Sequence, residues 1–300
     1  MTKELIAGID AGGTTFKLGV SDRDGRLLAK ARVPTTTPEE TVGDASMKLQ
    51  ELAAAAGGRI GRLGVATFGP VDVDESSPNY GTILATPKPG WSGTPLLRNL
   101  SKALGVPGRL DTDVNGALEA EMQLGAGRGL SRVAYITVGT GIGVGLKSEG
   151  QFAGRPLHPE LGHIRVVRHP EDQHYEGRCA FHRDCLEGLS AAPALSDRFG
   201  DLESLGTDHP VWEMAGHYLA QLCLTLALGS RLERIILGGG VLGAPALISS
   251  VQRHFARLDG GYLPEAGRLQ ELLQKAQLGD DAGLLGSFLI AQGVDAKARP

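Results

Sequence analysis

Two thiols and an imidazole fall within seven residues in Cys179-Ala-Phe-His182-Arg-Asp-Cys185. Sulfur and imidazole ligands at this spacing form the kind of tight turn that closes around tetrahedral zinc. Glu160-Leu-Gly-His163 ends sixteen residues before Cys179, and five of the eight histidines (His158, His163, His169, His174, His182) lie between positions 158 and 182. Spacing leaves the fourth ligand open, because His163, His169 and His174 can each reach. A disulfide between Cys179 and Cys185 is the competing chemistry. A formal charge of −4, three cysteines and no apolar leader after Met1 point instead to the cytoplasm, where disulfides are rare. Cys223 lies in the apolar helical run from Tyr218 to Leu228 and reads as an inert core thiol.

Phosphate chemistry is the second signal. Glycine supplies 44 of 300 residues, roughly double its usual share of about 7%. Three glycine groups follow apolar runs: Gly12-Gly13-Thr14-Thr15, Gly139-Thr140-Gly141 and Gly238-Gly239-Gly240. Such turns expose successive backbone N–H groups and hydroxyls, which form nests for phosphate oxygens. One turn is weak evidence, but three in one chain, each after a buried strand, are more specific. None is a Walker A loop, and none has the GxGxxG spacing that opens a dinucleotide-binding helix. Asp10 ends the first apolar run and is poised to face a bound phosphate. A carboxylate there is repelled unless a cation bridges the two, so Asp10 suggests Mg²⁺; the plainer reading is an Asx turn. Leu110-Asp-Thr-Asp113-Val-Asn115-Gly116 places two carboxylates and an amide after another strand. Asp113 or Asn115 can cap the helix that follows. A carboxylate at a strand end can equally accept a proton from a substrate hydroxyl.

These groups need strands to carry them. Leu5–Asp10, Phe16–Ser21, Leu27–Val33, Leu63–Thr67, Val133–Val138, Ile142–Leu146 and the run from Ile235 read as strands. Pro38–Ala56, Ala117–Gln123, His209–Leu228, Ala246–Leu258, Leu269–Ala276 and Ala282–Gln292 read as helices. Phe68–Trp91 is a loop long enough to be functional. "IDAGGTTFKLGV" and "ITVGTGIGVGL" repeat one device: apolar strand, Gly/Thr turn, apolar strand. That weak duplication predicts two related α/β domains. The boundaries expected are 1–112 for a smaller N-terminal domain, with a helix at about 283–293 packing back on it, and 113–282 for a larger domain whose metal loop spans 158–188. No apolar run reaches the 18 or so residues of a membrane span, and the negative charge offers nothing to nucleic acid.

Taken together, the motifs resemble the ROK family of sugar kinases and repressors. "GIDAGGTTFKLGV" and "VGTGIGVGL" are similar to its two phosphate motifs, "DTDVNGALEAE" to its catalytic segment, "ELGH" with "CAFHRDCLEG" to its zinc and sugar segment, and "LGGGV" to its adenosine motif. The likeness covers nearly the whole chain in the right order. Thr15 stands where the family often has Lys, while the Gly-Gly-Thr core is kept. "FGPVDV", "SSPNYG", "TPKPGW" and "HPELGH…CAFHRDCLEGL" most resemble the bacterial fructokinase branch.

The resemblance implies an actin-like, ribonuclease-H-like ATPase fold, two α/β domains around a nucleotide and sugar cleft. It implies ATP, Mg²⁺ and a structural Zn²⁺. Asp113 would be the general base, with Asn115 supporting the site and Glu160, His163 and Glu187 near the sugar. The implied zinc ligands are His163, Cys179, His182 and Cys185, and the implied phosphate and nucleotide contacts are Asp10, Gly12, Gly13, Thr14, Thr15, Gly139, Thr140, Gly141, Gly238, Gly239 and Gly240. The expected reaction is ATP-dependent phosphorylation of D-fructose to D-fructose 6-phosphate in the cytoplasm, by a homodimer. Mannose, glucose or N-acetylmannosamine is the alternative substrate. A sugar-responsive repressor is disfavoured, because the first strand begins by Leu5 and leaves no room for a helix-turn-helix domain.

Overall fold

The computed structural model describes residues 3–264 and 268–294. The chain divides into two compact units. The first comprises Met1–Ala120, Gly154–His158 and Asp280–Pro300; the second comprises Glu121–Ala153 and Pro159–Gly279.

In the first unit, β1 (Lys3–Ala11), β2 (Thr15–Ser21) and β3 (Leu27–Pro34) form an antiparallel meander. The chain then crosses through α1 (Pro38–Ala55) to β4 (Gly58–Thr67), and through α2 (Leu96–Leu104) to β5 (Gly108–Thr112). Both β4 and β5 run parallel to β1, giving the sheet order β3-β2-β1-β4-β5. The start of α1 is written in its first residues. Thr37 accepts from the Glu40 N–H at 3.3 Å, Pro38 opens the helix, and Glu39 and Glu40 meet its positive end.

Strand alternation covers the sheet on both faces. Leu5, Ala7, Ile9 and Ala11 of β1 pack with Val42, Ala45 and Leu49 of α1 in one core. Ile6 points the other way and packs with Leu284, Phe288 and Ala291 of α9 (Ala282–Gln292). Asp10 shares the parity of Ile6 and so faces α9. The helix lies so close to the strands that a Cβ on Gly64 would overlap the Ser287 carbonyl oxygen.

The second unit repeats this plan. β6 (Arg132–Val138), β7 (Ile142–Ser148) and β8 (Gln151–Phe152) are an antiparallel meander. β9 (Arg234–Gly238) and β10 (Leu273–Lys275) add in parallel, giving the order β10-β9-β6-β7-β8. This is the first sheet's order read from the opposite edge, and both sheets fit the actin-like ATPase fold. The core is closed by α4 (Leu186–Ser190), α5 (Ala192–Phe199), α6 (Val211–Ser230) and α7 (Pro245–Asp259).

Three expectations differ from the structure, the first being that the helix expected over Ala117–Gln123 begins four residues earlier, at Asp113. The run Leu269–Ala276 is not one helix. It is the single turn α8 (Leu269–Leu272) followed by β10, because pairing of Leu273–Lys275 with Ile235–Leu237 outweighs local helical periodicity. The break expected after residue 112 also differs, since the first unit runs on to Ala120. The opening of α3 (Asp113–Leu124) packs tightly there: a Cβ on Gly286 would overlap the Gly116 carbonyl, and Gly116 abuts Ala66. Residues 154–158 join the same unit, because Arg155 bonds to Asp111 and to the Val73 carbonyl and His158 accepts from the Val71 N–H.

Candidate active site and metal cluster

In the first unit, the predicted residues gather at the C-terminal edge of the parallel strands, where open α/β sheets bind ligands. Register puts Asp10, Ala66 and Asp111 in one row across β1, β4 and β5. Two strand spacings therefore separate Asp10 from Asp111, about 10 Å. The β1–β2 turn is closed by Gly12 N–H donating to the Thr15 carbonyl at 3.1 Å. Thr35 pins it further, its N–H to the Thr14 carbonyl at 2.9 Å and its hydroxyl to the Gly12 carbonyl at 2.8 Å. Gly13 and Thr14 stay exposed.

Asp10 is held beside Gly283 in the first turn of α9, with the Lys17 ammonium at 3.5 Å. Burial pushes its carboxyl above the usual range, and Lys17 opposes that rise. A single carboxylate beside an anion nest suits magnesium, which takes one or two carboxylates together with substrate phosphates.

Asp111 and Asp113 have unlike surroundings. Asp111 is buried, and its Oδ1 accepts from the Thr112 N–H at 2.7 Å and the Asn115 amide at 2.8 Å. Its Oδ2 is paired with Arg155. Asp113 begins α3, is half-buried and accepts from the Val114 N–H at 2.8 Å. The helix cap comes from Thr112, whose hydroxyl accepts from the Asn115 N–H at 3.2 Å. Asn115 thus turns its amide donor onto Asp111.

The second unit carries two glycine turns and the Cys/His cluster. Gly139 donates to the Gly141 carbonyl at 2.9 Å, and Thr140 is exposed. β6 and β9 are parallel neighbours, so the Gly238–Gly240 turn leaves the same sheet edge. Gly239 has φ +91° and so close an approach to Val138 that any Cβ would overlap that residue's backbone.

Four ligand atoms, from His163, Cys179, His182 and Cys185, lie within 4.8 Å of one another. Cys179 and Arg183 exchange backbone hydrogen bonds at 3.2 and 3.0 Å, folding 179–183 into a narrow hairpin. The His182 N–H donates to Cys179 Sγ at 3.4 Å. Leu186 N–H to the Ile164 carbonyl, at 3.0 Å, draws the His163 and Cys185 segments together. His163 Nδ1 is 3.5 Å from Cys185 Sγ and 3.6 Å from Cys179 Sγ; His182 Nδ1 is 3.7 Å from Cys179 Sγ. Zinc bonds of about 2.3 Å to sulfur and about 2.0–2.1 Å to nitrogen give tetrahedral N···S edges of about 3.6 Å, so the donor set fits zinc. All three cysteines are free thiols. The other two candidates for the fourth ligand lie outside this group: His169 Nδ1 accepts from the Glu171 N–H at 3.2 Å, and His174 is not among the four.

Glu160 and Glu187 flank His163, with Glu160 Oε2 at 4.0 Å from Nε2 and Glu187 Oε1 at 4.0 Å from Nδ1. Glu187 also stands in the first turn of α4, and its Oε2 accepts from the Ile142 N–H at 2.9 Å. One carboxylate therefore ties the Cys/His loop to the strand that leaves the Gly139–Gly141 turn.

Sequence reading passed over two side chains. Arg155 meets Asp111 from 44 residues away, and Lys88 donates to the Gly13 carbonyl from 75 residues away. Neither contact has a local signature. The hints for Lys88 were the length of its loop and the "TPKPGW" segment that contains it.

Residues 6–294 match the ROK family. Fructokinase of Zymomonas mobilis is 37% identical over 98% of this chain and 99% of its own length. Fructokinase of Lactococcus lactis is 36% identical over 96% and 97%. A glucokinase of Streptomyces coelicolor is 33% identical, over 54% of this chain and 50% of its own. The crystal structure of a ROK glucokinase from Streptomyces griseus, in complex with glucose and AMPPNP, superposes with TM-score 0.79 at 27% identity, covering 97% of this chain and 100% of that one. Twin sheets of one strand order, glycine turns at their C-terminal edges and a match running almost end to end agree on one descent: this chain belongs to the ROK family.

Proposed function

We propose that the chain is an ATP-dependent fructokinase, which converts D-fructose and ATP to D-fructose 6-phosphate and ADP. The observation that carries this reading is the reach of the likeness. Fructokinases match over nearly the whole chain, whereas the Streptomyces coelicolor glucokinase matches over about half.

Asp113 accepts the proton of the sugar 6-hydroxyl as that oxygen bonds to the γ-phosphorus. The bond from this phosphorus to the β,γ-bridging oxygen breaks, and its electron pair leaves with ADP. Backbone N–H groups at Gly12–Thr15 and Gly139–Gly141 hold the phosphate oxygens, with Gly238–Gly240 against the adenosine. Asp10 would hold Mg²⁺, which neutralises phosphate charge when bound. Asn115 supports the site by donating its amide to Asp111. Glu160 and Glu187 accept hydrogen bonds from the sugar hydroxyls, beside His163. His163, Cys179, His182 and Cys185 would hold zinc, which fixes the loop carrying both glutamates. Free thiols in that set suit a reducing cytoplasm.

The test is a panel of hexoses in a coupled ADP-release assay. Fructose is expected to exceed glucose, mannose and N-acetylmannosamine in kcat/KM. A tenfold advantage for any of the others would keep the kinase chemistry and replace the substrate.

A further inference from the structure

The β1–β2 turn offers a nest of N–H groups but no full positive charge, since Gly12, Gly13, Thr14 and Thr15 are all neutral. The next cation along the chain, Lys17, is engaged by Asp10 at 3.5 Å and Asp280 at 3.0 Å. Lys88 reaches the same turn from the long loop before α2, and its ammonium donates to the Gly13 carbonyl. The loop cannot easily swing away. Trp91 is fully buried, its ring centroid 5.7 Å from Phe16 and 5.4 Å from Phe68. The indole N–H donates to the Thr36 carbonyl at 2.9 Å, and the Trp91 N–H to the Lys88 carbonyl at 3.2 Å. Phe16 directly follows the turn and Thr36 directly follows its pin, Thr35, so one aromatic anchor holds both parts together. Among the described residues, no carboxylate pairs with Lys88. An ammonium has three N–H donors, and the Gly13 carbonyl takes one of them. The other two remain at the rim of an anion nest.

We propose that Lys88 is the cation of this phosphate site, its remaining N–H donors binding oxygens of the nucleotide's phosphate chain at the Gly12–Thr15 turn. The proposal rests on the kinase reading above. Charge-assisted bonds of this kind change affinity roughly ten- to a hundredfold.

The test uses the full chain. Lys88→Met should weaken ADP and ATP binding by roughly ten- to a hundredfold in direct titration. Adenosine binding and the fructose KM should change by less than about twofold, since neither ligand brings a phosphate to the turn. Thr15→Lys in the Lys88→Met background should recover at least part of the ADP affinity, because it returns an ammonium to the same turn. Wild-type ADP affinity in Lys88→Met overturns the proposal. So does an equal loss for ADP and adenosine with a lowered melting temperature, which would make Lys88 a structural clamp on the Gly13 carbonyl. Should the wild type fail to phosphorylate fructose, the substrate assignment fails, while the ADP and adenosine titrations still decide Lys88.

Discussion

Asp111 and Asp113 are alike in sequence and unlike in place. Asp111 is enclosed by an arginine, an amide and a backbone N–H, so its charge is already matched. Asp113 is half-buried at the opening of α3. As the proposed general base, Asp113 makes a direct prediction: Asp113→Asn is expected to lower kcat by about 10²–10⁴ with fructose and ADP affinities nearly unchanged. Turnover close to wild type would remove Asp113 from the chemistry. Asp111→Asn is expected to act otherwise. It weakens the pairing with Arg155 and costs about 1–3 kcal/mol of stability in urea unfolding, and Arg155→Met should cost at least as much, because it also removes the bond to the Val73 carbonyl. The motif around Asp113 was legible because its members are neighbours in sequence. Arg155 was not, because nothing within 40 residues of it marks its partner.

At the scale of elements, the glycine turns and the Cys/His cluster were legible and the strand β10 was not. A turn is written in consecutive residues: a glycine at φ +91° or a Cys-x-x-His-x-x-Cys run is visible in place. A three-residue strand is decided by the neighbour it pairs with, here β9. The strand glycines carry a similar lesson. Gly64 looks like a weakness in β4 until α9 is seen lying on it. Gly64→Val is expected to destabilise the fold by about 1–3 kcal/mol or more, because the new side chain must displace the Ser287 backbone. Equilibrium unfolding measures this directly, and an unchanged midpoint would mean that α9 does not hold that contact in solution. The Cys/His cluster makes a companion prediction. Cys185→Ser is expected to lose the metal and to raise the fructose KM by roughly tenfold or more, with a smaller change for ATP, because Glu187 follows Cys185 by two residues. Metal analysis beside fructose and ATP kinetics reads both halves. Full metal content in this variant would remove Cys185 from the ligand set.

For the molecule as a whole, the repeated strand-turn-strand device proved to be the opening of two complete sheets of one order. The boundaries were harder to read, since the first unit draws on three separate stretches of chain, and contacts such as Arg155 with Asp111 decide membership. Each unit also has its own buried core. In the first, Ile9, Leu18, Val65 and Trp91 share a cluster; in the second, Ile136, Leu186, Tyr218 and Phe255 share another. All four Cys/His ligand atoms belong to the second unit, and Leu186, adjacent to Cys185, is a member of its core. Metal binding free energy is folding free energy for the part that binds it, and separate cores loosen the two-state limit. Chelation should therefore act unevenly. Hydrogen exchange is expected to accelerate in peptides covering 161–190 and α6, while β1 and β4 keep their protection. Uniform acceleration across both units would show instead that the chain unfolds as one body and that the two cores are not independently stable.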